Sequence, residues 1–150
     1  MAVMRDRPYT NSNFLVEFRD EDGYSMTAGF AEVIFPPFTI EQAAPRQGEP
    51  IVSQDVEATA ANTGNHLVLK RGQSGDLDVY AWWHDARQGK TAKRRTLKIE
   101  LLSEDHSTVV LTWHFQNVYP VSLSYSPLRA MEGSIVMESV ELAFESVEMS

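Results

Sequence analysis

The segment TLKIELLSEDHSTVVLTWHF, residues 96–115, consists of two runs of alternating side chains joined by a polar turn. This alternation is typical of β-strands, because successive side chains of a strand point to opposite faces of the sheet. Pairing Leu102 with Thr108 makes residues 103–107 the turn of a hairpin and gives one face a continuous apolar strip. We expect this strip to form the hairpin core, which consists of Leu97, Ile99, Leu101, Leu111 and Trp113.

The opposite face of the hairpin is less polar than a strand face that meets only water. Its second strand carries Thr108, Val110, Thr112 and His114, none of them an acid, a lysine or an arginine. Exposed strand faces normally alternate charged and polar side chains with the buried ones. We therefore expect this face to contact another element of the fold or a neighbouring molecule.

Strands dominate the rest of the chain, and one helix interrupts them. The helix is predicted at about residues 74–88, with Ser74 or Asp76 as its N-terminal cap and Gly89 closing it. Pro36 and Pro37 cannot donate to a central ladder, so they mark a kink or a sheet edge. Period-2 patterns predict the other strands at residues 13–18, 25–33, 66–72, 121–126 and 134–149.

The chain of 150 residues is predicted to be a single domain, residues 1–150. An extended N-terminal arm, residues 1–12, precedes the first strand. Residues 39–65 are predicted to form a long loop or hairpin region containing Pro45, Gly48, Pro50 and Gly64, with one strand near Ile51 to Val56. Long connections of this kind are often functional loops.

Composition limits the classes of protein to consider. Apolar residues make up 43% and charged residues 23%, which is typical of a globular chain, and there is no cysteine for disulfide or thiolate chemistry. Arg5, Asp6 and Arg7 stand where a signal peptide needs apolar residues, and no window has the ~20 apolar residues of a membrane span. We expect synthesis in the cytoplasm and no membrane span.

The net charge of −8 comes from 13 basic and 21 acidic side chains, so sequence-specific nucleic-acid binding is not expected. The charge is unevenly distributed. Residues 87–98 hold six of the 13 basic side chains, whereas no basic residue follows Arg129 and five glutamates do. This segregation indicates either two solvated surfaces of opposite sign or complementarity between copies of the protein.

No motif assembles a catalytic, cofactor or metal site. The four histidines lack metal-ligand spacing, GQSGD has Asp76 where a nucleophile elbow needs glycine, and no phosphate loop or dinucleotide motif is present. We therefore expect no enzyme activity, no cofactor and no metal. A soluble β-barrel that binds a small ligand or carbohydrate through Trp82 or Trp113 is one alternative, and a small hydrolase is a weaker one.

An ordered series of motifs covers residues 8–145. The series is PYTNSNFLVEF, Gly29-Phe30, LKRG, DLDVYAWW, RRTLKIELLSED, LTWHFQNVYP and ESVELAFE. In this order and spacing the chain resembles the tail tube protein family of contractile phage tails and related phage-tail-like injection particles. Type VI secretion ring proteins share the architecture and are the nearby alternative.

The resemblance implies an antiparallel β-sandwich or partly rolled β-barrel with one flanking α-helix. It also implies six copies in a ring, and rings stacked into a hollow tube for DNA or protein cargo, in a virion or an extracellular particle. The implied partners are other copies, a contractile sheath protein, and baseplate, tube-initiator and terminator proteins. Family landmarks of fold and assembly match Lys70, Arg71, Gly72, Trp82, Trp83, Arg94, Arg95, Trp113 and Glu138.

Self-assembly would then use several kinds of side chain. We expect Arg94 or Arg95 to meet a carboxylate of a neighbouring subunit, and part of the broad apolar arc of the helix to meet the next copy. The predicted self-assembly interface consists of Pro36, Pro37, Tyr80, Trp82, Arg94, Arg95, Val110, Thr112, Glu138, Glu141 and Glu145.

Overall fold

The computed structural model of the chain describes residues 2–23, 25–40, 66–89 and 94–150. The predicted strand near Ile51 to Val56, and most of the region 39–65, lie outside these residues. The described elements, in chain order, are β1 Phe14–Arg19, β2 Ser25–Ala28, β3 Glu32–Ile34, β4 Leu67–Gly72, α1 Asp78–Arg87, β5 Arg95–Leu102, β6 Val109–Tyr125, β7 Met137–Ala143 and β8 Ser146–Met149.

All strand pairs are antiparallel, and the strand order is β2-β1-β5-β6-β7-β4-β3. Strand β6 has 17 residues and joins two halves of the sheet. Its first part pairs with β5 on one side and with β8 on the other, and its last part, from Tyr119, pairs with β7. Strands β7 and β8, separated by Phe144 and Glu145, therefore follow β6 along most of its length.

The connection between β2 and β3 shows that the sheet is rolled. These strands stand at opposite ends of the order, so six strand spacings, about 29 Å, would separate them in a flat sheet. Only residues 29–31 link them, and four Cα steps reach at most about 15 Å. The sheet must curl back on itself, although β2 and β3 are not paired with each other among the described residues.

The predicted class, a mainly β fold that is partly rolled and has one flanking helix, is thus confirmed. One element differs from its prediction: the single strand expected at residues 25–33 is two strands. Gly29 and Phe30 interrupt it, and the Phe30 ring turns inward to lie 6.1 Å from that of Phe18. Period-2 alternation continues across such a break, so the pattern alone does not reveal it.

The interior of the roll is one apolar core fed by both halves of the sheet and by the helix. Trp82 of α1 is 4% exposed and its ring lies 5.5 Å from that of Phe18 on β1. Phe115 of β6 packs edge-on against Phe144 at 4.8 Å. The buried apolar cluster consists of Val16, Phe18, Phe30, Leu67, Leu69, Val79, Trp82, Leu97, Ile99, Phe115, Val118, Val140, Leu142 and Phe144.

The β5–β6 hairpin has the predicted faces and a different register. Leu102 pairs with Val109, and an irregularity next to it shifts Leu101 to pair with Leu111 and Ile99 with Trp113. The partners are therefore two residues further along than expected, and a shift of two keeps every side chain on its predicted face. Of the five predicted core residues, Leu97 and Ile99 are buried, and the other three are half-buried.

Two of the four residues named on the second face of this hairpin are covered from within the chain, whereas Thr108 is exposed and His114 half-buried. Val110 and Thr112 are both buried. The N–H of Val3 in the N-terminal arm donates to the Val110 carbonyl at 2.9 Å, and Thr112 exchanges two 3.0 Å backbone hydrogen bonds with Ser150. Both chain ends therefore extend the sheet beside the first residues of β6.

The helix begins at Asp78, four residues later than expected. Leu77 occupies the N-cap position without a side-chain hydrogen bond, while Asp76 Oδ1 accepts from the N–H of Asp78 at 3.0 Å. Arg71 also donates to the Asp76 carbonyl at 3.0 Å, which holds this residue outside the helix. The predicted end is confirmed, because Gly89 has φ +70° and its N–H donates to the Ala86 carbonyl.

Candidate assembly surface

The last part of β6 is an open strand edge. Strand β5 covers the outward side of β6 only as far as Val118, and no described strand pairs with that side of residues 119–125. The N–H of Ser126 donates to the carbonyl of Met137, the first residue of β7. Along a strand, the N–H and C=O groups of successive residues point alternately to one side and to the other. The N–H and C=O groups of Tyr125 and Leu123 therefore point away from β7, toward the open side.

Strand β8 is a second open edge. The two hydrogen bonds between Ser150 and Thr112 fix which backbone groups face β6. By the same alternation, the groups of Met149 and Val147 point away from β6. Strand β4 pairs with the side of β7 that faces away from β6, and this pairing ends at Leu142. Among the described strands, none therefore pairs with the outward side of residues 146–149.

Pro120 lies within β6, next to a register irregularity at Val121. A proline has no N–H to donate, so within sheets it occurs on edge strands and at bulges. The sequence interpretation treated residues 121–126 as a separate strand and missed the open edge. Pro120 was the signal that could have indicated it.

The residues predicted at the self-assembly interface fall into three groups according to their solvent exposure in one copy of the chain. The largest of these groups is buried inside the protomer, and its member Glu138 is only 1% exposed. Their role in an interface remains a prediction. The exposed residues are Pro37, Tyr80, Arg94 and Glu145, the half-buried ones are Arg95 and Glu141, and the buried ones are Pro36, Trp82, Val110, Thr112 and Glu138.

The basic residues at the start of β5 already have partners in their own chain. Arg94 lies 4.8 Å from the Tyr119 ring, and its Nη1 is 4.0 Å from Glu145 Oε2. The guanidinium of Arg95 lies 4.5 Å from the centre of the Trp82 ring. The Arg94 side chain remains half exposed, so its contact with a neighbouring carboxylate stays a prediction.

Two landmark residues form a buried ion pair that fastens the helix to the sheet. Arg71 Nε donates to Glu138 Oε1 at 2.9 Å, and Gln73 and Tyr125 each donate to Glu138 Oε2 at 2.9 Å. Arg71 also reaches Asp76 in front of the helix. Burial and the hydrogen bond to Glu138 raise the pKa of the Tyr125 phenol, which keeps it a donor. The network holds the residues before the helix against β4 and β7.

The β5–β6 turn and the N-terminal arm are held by two exposed carboxylates. Arg5 donates two hydrogen bonds to Glu104, at 2.9 and 2.6 Å, and these bonds lower the pKa of that carboxyl to about 2. Asp105 Oδ1 accepts from the hydroxyls of Ser103 and Ser107, which lower its pKa to about 2. Arg5 thus ties the N-terminal arm to the turn, and Asp105 ties the turn to itself.

A cleft of about 510 Å³ opens between the N-terminal arm and the rolled sheet. Apolar side chains dominate its wall, and Glu32 supplies a carboxylate. Trp113 lies in the wall, whereas Trp82, the other tryptophan considered for a ligand site, is in the core. The apolar part of the wall consists of Phe14, Val33, Phe35, Ile99, Leu101 and Trp113.

The connection from β6 to β7 carries large apolar side chains that are exposed to solvent. The sequence analysis did not predict this exposed group. Leu128, Met131 and Ile135 are all exposed. Several such residues in one proline- and glycine-containing connection were the available signal. Exposed apolar groups that lie close together mark interaction surfaces more often than isolated ones do.

Within the described ranges, no group of three or more His, Asp or Glu side chains lies close enough together to hold a metal ion. No helix in that part of the chain has the length and apolar character needed to cross a membrane.

Several solved structures are similar to this chain in fold. A chain of the anti-feeding prophage baseplate, symmetrised six-fold, has a TM-score of 0.75 at 20% identity and covers 97% of both chains. A chain of the PVC sheath–tube complex, an extracellular contractile injection system in its extended state, has a TM-score of 0.72 at 20% identity, covering 97% and 93%. A type six secretion system protein gives 0.52 at 14% identity, covering 91% and 82%.

No curated protein matches the chain in sequence. A family model, the T4-like virus tail tube protein gp19, matches residues 10–148. This range begins in the N-terminal arm and ends within β8, so it includes the helix, strands β1 to β7 and most of β8. The chain therefore belongs to the T4-like virus tail tube protein gp19 family.

Proposed function

We propose that this protein is the subunit of the inner tube of a contractile tail or injection particle. Six copies form a ring, and the rings stack into a hollow conduit through which DNA or protein cargo passes. The observation that carries this proposal is the family match over residues 10–148. The chain acts as a structural part and catalyses no reaction.

The open edges of the sheet support assembly. An exposed edge presents unpaired N–H and C=O groups, and a monomeric protein normally covers or blunts it. Here β8 and the last part of β6 are both open among the described strands, and neither carries a lysine. A closed ring of copies pairs such edges and leaves none exposed.

The partners proposed for the tube are a contractile sheath, a baseplate or tube-initiator protein, and a terminator. The similar structures come from a baseplate, a sheath–tube complex and a tube-terminating cap. On this proposal the chain is made in the cytoplasm and becomes part of a virion or an extracellular particle.

Negative-stain electron microscopy of the purified protein, with size-exclusion chromatography over a concentration series, tests the proposal. We expect rings with six-fold rotational symmetry, or tubes of stacked rings, at high protein concentration. A 16.9 kDa monomer at every concentration, also with a tube-initiator protein present, would contradict the proposal.

A second candidate function is a binding module for a small apolar ligand. The cleft of about 510 Å³ lies within the range of about 300–1,000 Å³ typical of ligand pockets. Native mass spectrometry of the purified protein distinguishes the two functions. A bound metabolite on a monomer, lost on replacing Trp113 with alanine, would favour the binding module.

A further inference from the structure

We propose that the cleft between the N-terminal arm and the rolled sheet binds a small ligand with a flat aromatic body and a neutral or cationic polar end. The site is formed within one folded chain, so a subunit can carry it whether or not it is assembled. Binding of such a ligand goes beyond the tube function and does not depend on it.

The cleft reaches from the surface into the core. Ile99 lies in its wall and is only 2% exposed, so the inner end of the cleft is made by the buried apolar cluster. The volume of about 510 Å³ has room for a molecule of several rings. A ligand that enters the cleft therefore exchanges water for apolar groups, which is the main source of affinity for a small apolar molecule.

Aromatic side chains shape the wall of the cleft. The rings of Phe35 and Trp113 lie 5.0 Å apart, and Phe35 is still 37% exposed. Because both rings also line the cleft, part of this ring pair faces its open space. Tyr9 and Phe14 add two further rings to the wall. A flat aromatic body can join these rings in offset-stacked or edge-on contact, which adds to the gain from burying apolar area.

The polar side chains of the wall select the charge of the ligand. Thr10, Asn11 and Glu32 supply a hydroxyl, an amide and a carboxylate, and none of the described residues in the wall is basic. Lys70 lies 3.6 Å from Glu32, but both side chains are more than a third exposed, and such pairs are weak. The chain as a whole carries a charge of −8. A neutral or cationic end is therefore favoured over an anionic one.

The arm that forms one wall is held by contacts outside the cleft. Arg5 donates to the Glu104 carboxylate at 2.9 and 2.6 Å, and the N–H of Val3 donates to the Val110 carbonyl at 2.9 Å. Neither Arg5 nor Glu104 lines the cleft. A wall that is already in place costs a ligand less ordering entropy than one that must fold over it. The Arg5–Glu104 pair is thus a positioning contact for the site.

Three other grooves of the described residues suit such a ligand less well. Two of them, of about 270 and 210 Å³, are smaller than the usual ligand pocket. They also have basic side chains in their walls, Arg87 in the first and Arg19 and Lys98 in the second. The third, of about 410 Å³, is formed by residues 127–136, and none of its lining residues is buried.

Two fluorescent probes with the same ring system test the site in the full chain. N-phenylnaphthylamine is neutral, whereas anilinonaphthalene sulfonate carries a negative charge on the same rings. We expect the neutral probe to bind at one site per chain. The anionic probe should bind about five-fold more weakly, which is the effect of one like charge about 4 Å away in water. Glu32→Gln should bring the two affinities together.

Two pairs of variants locate the bound neutral probe. Trp113→Ala should lower its affinity about ten-fold or more, as the loss of a large aromatic anchor does, and Trp83→Ala, at a half-buried position of the helix, should leave it unchanged. Glu104→Gln should lower it by up to about five-fold by releasing the arm. Its control is Glu132→Gln, which removes a carboxylate 3.2 Å from Arg129 and leaves the cleft intact. Fluorescence titration measures each affinity.

Equal affinity of Trp113→Ala and wild type, or no saturable binding at one probe per chain, would overturn the site and leave the tube function intact. A probe signal that falls as the protein concentration rises would show that a second copy covers the cleft, which would also refute the ligand site. If Trp113→Ala does not fold, nuclear Overhauser contacts in the wild-type complex decide the question. The bound probe should contact Phe14 and Phe35, and absence of these contacts would refute the site. Failure of the wild type to form rings concerns the tube function alone.

Discussion

At the scale of single residues, Arg71 and Glu138 show how a buried charge is accommodated in this fold. Both side chains are buried, and they satisfy each other at 2.9 Å. Gln73 and Tyr125 use the second oxygen of the carboxylate. Since removing charge from water is costly, such a pair is stable only when its remaining hydrogen-bonding groups are also satisfied. The pair is therefore a fixed point from which the start of the helix is positioned.

Replacing one member of this pair should cost more than replacing both. We expect Arg71→Met to lower the free energy of unfolding by about 3–5 kcal/mol, because Glu138 stays buried without its cation. The double variant Arg71→Met with Glu138→Leu should lose clearly less than the sum of the single changes. Urea unfolding, followed by tryptophan fluorescence, measures the free energy of unfolding of the wild type, both single variants and the double variant. Additive losses would show that the two side chains act independently.

The turn residue Asp105 gives the protein a pH-dependent contribution to stability. Its hydrogen bonds to Ser103 and Ser107 lower its pKa from the ordinary 3.8 to about 2 in the folded state. A lowered pKa stabilises the fold above the unfolded value, and this contribution disappears as the pH falls from about 4 to about 2. We expect Asp105→Asn to be less stable than wild type at pH 6, with the difference shrinking toward pH 2.

Unfolding midpoints in urea at pH 6, 4 and 2.5 measure this convergence. Asp85→Asn, an acid-to-amide change at an exposed position of the helix, serves as the control. A difference between wild type and Asp105→Asn that is constant over the whole range would contradict the assigned hydrogen bonds.

At the scale of the element, two adjacent tryptophans of α1 have different environments. Trp82 is buried against Phe18 and the Arg95 guanidinium. Trp83 is half-buried, with its ring 6.2 Å from that of Tyr80 and 5.6 Å from the Arg87 guanidinium. Successive helix positions differ by about 100° in direction, so the same helix places one ring in the core and the other beside the open edge of β6.

These two tryptophans form a matched pair for mutation. We expect Trp82→Ala to lower the free energy of unfolding by about 3–5 kcal/mol, because it leaves a cavity in the core. Trp83→Ala should cost about 1 kcal/mol or less in the monomer, as is common at partly exposed positions. Thermal unfolding followed by circular dichroism compares them. Equal losses would show that α1 is rotated from the described orientation.

At the scale of the whole molecule, the proposed assembly would bring like charges together. Six copies of a chain of charge −8 would carry −48 in one ring, which opposes association. The apolar surface and backbone groups at the edges must outweigh this repulsion. Arg94 lies beside Tyr119, where the open edge of β6 begins, so its half-exposed guanidinium is placed to reduce the repulsion locally.

Reversing this charge should weaken ring formation in a salt-dependent manner. We expect Arg94→Glu to raise the protein concentration needed for rings by up to about five-fold per contact at low salt, the range of an exposed ion pair. The difference should shrink toward 1 M salt, where the screening length is about 3 Å. Light scattering over a salt series measures assembly.

The control for this charge reversal is Arg19→Glu, an exposed arginine at the end of β1, 3.1 Å from Glu17 of its own chain and on a strand that is paired on both sides. It changes the net charge equally. If both reversals weaken rings to the same extent, net charge rather than the position of Arg94 controls assembly.

The sequence by itself determined the local features of the protein. Alternation in residues 96–115 predicted the hairpin faces, and a two-residue change of register preserves them because the side-chain period is two. Gly89 correctly marked the end of the helix, since its positive φ suits glycine. The motif series also indicated the tail tube family that the match over residues 10–148 shows.

Only the tertiary structure decided which strands pair and which edges stay open. The pattern over residues 25–33 contains two strands that lie at opposite ends of a rolled sheet, and residues 109–125 are one strand shared by both halves. Alternation records which face of a strand is buried, and it carries no information about the neighbour on either side. Strand neighbours depend on contacts between distant parts of the chain, which is why the burial of Glu138 and Trp82 inside the protomer could not be read from alternation.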